Sequence, residues 1–206
     1  RGKYQIKEGV GKKKALNKKQ LKAIANYSDG NKFTEFYRDL WLFIYFCNGI
    51  NVADLINLKF SDIQNGEISF IREKTKDRTR DTKRIYAPIT PEMQSIIEKW
   101  GNNPRKSIYI FPFMKAGDDA WEHEKKKKNL TKHINDRMKV IGEKLNIGKI
   151  TTYVARHTYA TVLRNEGVPV SIISPMLGHT SITTTEIYLA DLESENRARN
   201  ASLLSF

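Results

Sequence analysis

Three polar residues in the last quarter of the chain have the types and spacing to carry phosphoryl transfer: Arg156, His179 and Tyr188. Arg156 stands in the run Tyr153-Val154-Ala155-Arg156-His157-Thr158, His179 follows Leu177-Gly178, and Tyr188 comes nine residues after His179. Without a metal ion, charge on the non-bridging oxygens of a phosphate must be met by fixed cations and hydrogen-bond donors. A guanidinium suits this, because its planar fork matches two phosphate oxygens and it keeps its proton. A covalent route also needs a nucleophile, and the departing oxygen needs an acid. A tyrosine can be that nucleophile, provided its proton is taken up or its phenolate stabilised, since its ordinary pKa is about 10. Taken singly, each residue has a plainer reading. Arg156 could pair with a carboxylate at the core edge, His179 could cap or fill a helix end, and Tyr188 could be a core aromatic.

Other chemistries find less support. The four histidines (His123, His133, His157, His179) and the single Cys47 show no HExxH and no paired CxxC. The acidic residues do not gather into a two-metal pattern, and there is no Walker loop and no Gly-x-Gly-x-x-Gly. The expectation is therefore no metal, no nucleotide and no other cofactor. The formal net charge of +13 is spread along the chain, which favours a polyanion as partner. The longest apolar run, residues 40–47, is far too short to cross a bilayer. One cysteine allows no internal disulfide, so a reducing, cytoplasmic setting is expected, with no membrane partner.

The elements that must position these residues follow from periodicity and capping signals. At 206 residues and 39% hydrophobic content the chain can build one core. Asn17 and Gln20 have the spacing of a capping pair, opening a helix with Leu21, Ile24 and Ala25. Phe33, Phe36, Tyr37, Leu40, Trp41, Ile44 and Tyr45 recur at helical intervals and predict a central helix closed by Gly49. A short helix is expected over 52–58. Residues 67–71 alternate after an Asn65-Gly66 turn, and 84–87 offer a partner strand across a charged loop. Thr90-Pro91 starts a helix running to Trp100. The lysine-rich stretch 121–128 reads as a solvated helix face, continuing as helix to about Gly148. The fold class is α+β, mostly helical, with one small antiparallel sheet.

Together, Arg156-His157-Thr158, Leu177-Gly178-His179 and Tyr188 resemble, in order and spacing, the catalytic signature of the tyrosine recombinases, the phage-type integrases. The resemblance runs from about Asn17 to the chain end and implies a catalytic domain with a three-stranded sheet. Residues 1–16 would then be the linker from an N-terminal DNA-binding domain, and 17–206 the catalytic domain with its C-terminal tail. It implies that Tyr188 forms a 3′-phosphotyrosyl link to DNA while Arg156 and His179 hold the scissile phosphate. A lysine in the sheet's hairpin loop would serve as acid for the 5′-oxygen; Lys74 is the first candidate, beside Lys76 and Lys83. The implied partners are duplex DNA, further copies of the chain in a tetramer, and accessory DNA-bending proteins.

Two positions depart from the family pattern. Asn51 stands in Asn48-Gly49-Ile50-Asn51-Val52-Ala53-Asp54 where the family has its first arginine. Arg38, on the edge of the central helix, is the expected substitute; otherwise the chain is a catalytically impaired DNA-binding protein of the same fold. Tyr153 occupies a slot usually held by histidine, and its hydroxyl can still donate to phosphate. Such changes resemble the subgroup carried by conjugative or mobilisable elements.

Overall fold

The computed structural model describes residues 15–74, 84–179 and 181–189. Within them the order is α1 (Lys18–Ala25), α2 (Lys32–Phe46), α3 (Val52–Leu55), a 3-10 turn (Phe60–Asp62), β1 (Ile63–Gln64), β2 (Glu67–Phe70) and β3 (Ile85–Pro88). Then come α4 (Pro91–Trp100), α5 (Ala120–Lys144), α6 (Thr152–Asn165), α7 (Val170–Met176) and α8 (Ile182–Leu189).

Helix α2 lies at the centre and packs against α4, α5 and α6. Leu40, Trp41, Phe43 and Ile44 are all fully buried, because this helix has neighbours on most of its circumference. The Trp41 indole donates to the Thr151 carbonyl at 2.8 Å, tying α2 to the residue that caps α6. The capping pair expected at Asn17 and Gln20 is present in both directions. Thr90 caps α4, with Pro91 in its first turn.

The sheet is antiparallel in the order β1-β2-β3. Asn65 and Gly66 both have positive φ, the conformation a two-residue hairpin between β1 and β2 requires. The register pairs Ile68 with Ala87 and Phe70 with Ile85, and all four are buried, so one face of the sheet seals onto the helices. Strand β1 carries too little apolar alternation to stand out in the sequence. The charged loop after β2 is described as far as Lys74; Lys76 and Lys83 lie outside the described residues.

Helices α6, α7 and α8 form a smaller cluster on Tyr159, Ala160, Ile173, Leu177 and Leu189. Among the described residues, no helix is long and apolar enough to cross a membrane.

Candidate functional site

The site is built where the end of α2, the exit of β2, helix α6 and the end of α7 converge. Arg156 comes from the inner face of α6 and is 7% exposed, flanked by Ala155 and His157, which are fully buried. Such a side chain needs partners, and it finds them in the backbone. One terminal nitrogen donates to the Gly49 carbonyl at 2.8 Å, and the other donates to the Leu177 carbonyl. That second nitrogen also lies 3.2 Å from Nε2 of His179.

Gly49 allows this approach. Its φ is +63°, and a Cβ there would stand 2.8 Å from the Arg156 Cα. The preceding Asn48, also at positive φ, donates to the Tyr86 carbonyl and accepts from the Tyr159 hydroxyl, each at 2.9 Å. The Asn48-Gly49 turn thus joins α2, α6 and β3. Burial pushes the Tyr159 phenol's pKa up, which suits a structural donor rather than a nucleophile.

His179 is placed by the way α7 ends. The His179 amide donates to the Ser174 carbonyl at 3.0 Å and the Gly178 amide to Pro175 at 2.9 Å, the paired bonds of a Schellman cap with Gly178 in the left-handed position. The sequence Leu-Gly-His therefore stops the helix and presents the imidazole in one step. Its Nδ1 lies 2.7 Å from the Thr185 hydroxyl on α8. Burial, then the positive charges of Arg156 and Arg72, push the His179 pKa down to about 4. The ring is neutral near pH 7. Because a guanidinium only donates, Nε2 accepts from Arg156 and Nδ1 carries the proton toward Thr185.

Tyr188 lies on α8, one helical turn after Thr185. Lys74 is exposed, just past the end of β2. Tyr153 is about half exposed and stacks on the His157 ring with centroids 6.2 Å apart. The chain thus brings Arg156 and His179 into contact, with Tyr188 on the adjoining helix and Lys74 at the end of a neighbouring strand.

Arg38 is placed elsewhere. It is buried in the first half of α2, with Nε donating to Asp39 at 2.9 Å and the terminal nitrogens bonded to Asp39 and the Tyr27 carbonyl. The polar edge of α2 faces the α1–α2 connection at that level, not the Arg156 cleft. Asn51 turns its amide to Asp54, at 3.4 Å.

Two residues here were not singled out from the sequence. Arg72 donates to the Gly178 carbonyl at 2.8 Å, and its stem packs beneath that glycine. Asp54 is buried and accepts the Glu73 amide at 2.7 Å, holding the start of the segment that carries Lys74. Burial raises the Asp54 pKa, opposed by the Glu73 bond and by the charges of Arg72 and Arg156. Next to Asn51, an open groove is lined by Lys127, Lys128, Lys132, Thr131 and Thr152, the last one turn before Arg156.

A sequence profile described as the phage integrase family matches residues 14–195. The chain belongs to the phage integrase family. Among curated relatives, the tyrosine recombinase XerA of Pyrococcus furiosus is 28% identical over 177 residues, covering 85% of this chain and 56% of its own length. The tyrosine recombinase XerC of Chlamydia caviae is 26% identical over 172 residues, covering 82% of this chain and 52% of its own. This integrase-family chain therefore spans about half the length of the curated relatives it matches. Its fold is that of the XerH site-specific recombinase solved in a post-cleavage complex with a palindromic difH substrate (TM-score 0.63, 17% identity, 92% of this chain and 53% of that one).

Proposed function

We propose that this chain is the catalytic domain of a site-specific DNA recombinase, cutting and rejoining strands through a phosphotyrosine intermediate. The observation that carries the reading is the buried Arg156 guanidinium held 3.2 Å from a neutral His179 imidazole, on a helix adjoining the one that bears Tyr188. The Gly49 and Leu177 carbonyls pre-set the guanidinium, so little reorganisation is needed when a phosphate arrives.

In this reading the Tyr188 hydroxyl gives its proton to solvent, its oxygen forms a bond to phosphorus, and the bond from phosphorus to the 5′-oxygen breaks. Arg156 neutralises charge on the non-bridging oxygens, and His179 hydrogen-bonds one of them. A bound phosphate requires a donor at Nε2 of His179, so anion binding draws a proton to the ring or shifts its tautomer. Lys74 gives a proton to the leaving 5′-oxygen. The phosphotyrosyl ester keeps the energy of the broken bond, and attack by a 5′-hydroxyl reverses the step. The cofactor requirement is nil in this scheme.

DNA affinity rests on phosphate contacts, with the lysines of the groove beside Asn51 forming part of the track. Assembly as a tetramer on DNA, a linker role for residues 1–16, docking of the C-terminal tail on a neighbouring copy, cytoplasmic action on nucleoid DNA and help from DNA-bending proteins complete the proposal. The absence of arginine at Asn51 favours a second reading, a DNA-binding protein of the same fold with impaired catalysis. Relaxation of supercoiled plasmid in excess EDTA separates the two. The recombinase reading expects relaxation that Arg156→Ala abolishes; binding without relaxation would favour the impaired protein.

A further inference from the structure

Asn51 brings no charge to the site, but a second guanidinium, that of Arg72, reaches the turn that carries His179. Arg156 and Arg72 grip consecutive carbonyls of one turn, Leu177 and Gly178, immediately before His179. They arrive from different elements: Arg156 from helix α6, and Arg72 from two residues past the end of β2. The Arg72 stem runs under Gly178 so closely that a Cβ there would fall 2.4 Å from its Cδ. The positive φ of Gly178, +65°, and the close approach of Arg72 thus make the same demand for glycine. Both guanidinium groups act electrostatically on the same two neighbours, His179 and Asp54.

Two like charges flanking a neutral imidazole are costly to hold together unless an anion joins them. Asp54 supplies part of the compensation, through a carboxylate already engaged by the Glu73 amide and within reach of the Asn51 amide. Arg38 cannot contribute, being bound to Asp39 and Tyr27.

We infer that Arg72 is the second phosphate-binding guanidinium of the site, contacting a non-bridging oxygen of the scissile phosphate opposite Arg156 in place of the arginine absent at Asn51. This rests on the recombinase reading. It makes Arg72 a catalytic residue and Asp54 a positioning residue, holding the strand exit from which both Arg72 and Lys74 extend.

The test uses nicked duplex substrates that trap the covalent adduct, with either a phosphodiester or a neutral methylphosphonate at the scissile position. Removing one fixed donor to a developing oxyanion costs about 100-fold or more in rate. Arg72→Ala is therefore expected to trap the phosphodiester about 100-fold more slowly than the unaltered chain. On the methylphosphonate, which has no anionic oxygen for the lost guanidinium to neutralise, the deficit is expected to shrink to within about tenfold. Arg72→Lys keeps the stem beneath Gly178 and a positive charge, and serves if the alanine variant fails to fold. It is expected to show a smaller deficit with the same contraction on the neutral substrate.

Equal losses on both substrates would overturn the inference, leaving Arg72 as a support for Gly178 alone. Undiminished trapping by Arg72→Ala would also overturn it. Absence of trapping by the unaltered chain on either substrate would instead remove the recombinase reading, and the inference with it.

Discussion

Replacing Gly49 by alanine tests whether backbone contact at the end of α2 sets the position of Arg156. Two costs can be separated. The residue sits at φ +63°, and a left-handed conformation costs a non-glycine residue about 1–2 kcal/mol. The new methyl group would also lie 2.8 Å from the Arg156 Cα and 2.8 Å from its Cγ. A Cα cannot rotate away, so α6 or the 48–49 turn has to move, an overpacking cost of about 1–3 kcal/mol. The sum is about 2–5 kcal/mol in urea unfolding. Gly66→Ala is the control: φ there is +77°, with nothing within 4 Å of the added atom, so only the conformational cost applies. It should lose about 1–2 kcal/mol and relax plasmid at the original rate. Gly49→Ala should relax more slowly by a factor of about 10–100, because it displaces the guanidinium that the Gly49 carbonyl helps hold. Equal destabilisation by the two variants, with equal activity, would refute the claim that this contact positions the site.

Two further outcomes follow from the charges of the site. His179 has its pKa pushed down to about 4 by burial and two arginines, against an ordinary value of about 6.5. Its contribution to stability is then complete above about pH 6.5 and is lost as pH falls toward 4, since the unfolded chain takes up the proton first. NMR titration of the free protein should find this depressed value, and addition of duplex DNA should raise it; an ordinary value in the free state would contradict the burial and the nearby arginines. On the groove beside Asn51, Lys128→Ala and Lys132→Ala should each lower the slope of log affinity against log salt by about 0.9 while leaving stability unchanged. An unaltered slope in both would take that groove off the DNA path.

The sequence made the scaffold legible where local chemistry decides it. The capping pair Asn17 and Gln20, the Thr90-Pro91 start and the alternation over 67–71 each act over a few residues, and each produced the element it predicted. Leu177-Gly178-His179 belongs to the same class, because a Schellman cap is written into consecutive residues. Arg72 was illegible for the opposite reason. Its partner, Gly178, is 106 residues away, and only the packing of the sheet against α7 brings them together. Arg38 shows the limit of helical-face reasoning, since the face was polar but its neighbours were Tyr27 and Asp39. Asn48 and Asp54 carry no local signal of their roles, because their partners lie on other elements.

The most direct test is peptide mapping of the adduct formed on a nicked duplex. Mass spectrometry should find a 3′-phosphate ester of DNA on the peptide containing Tyr188, formed in EDTA and lost in Tyr188→Phe. An adduct that survives that substitution, or that maps to another residue, would contradict the assignment of Tyr188 as the attacking group.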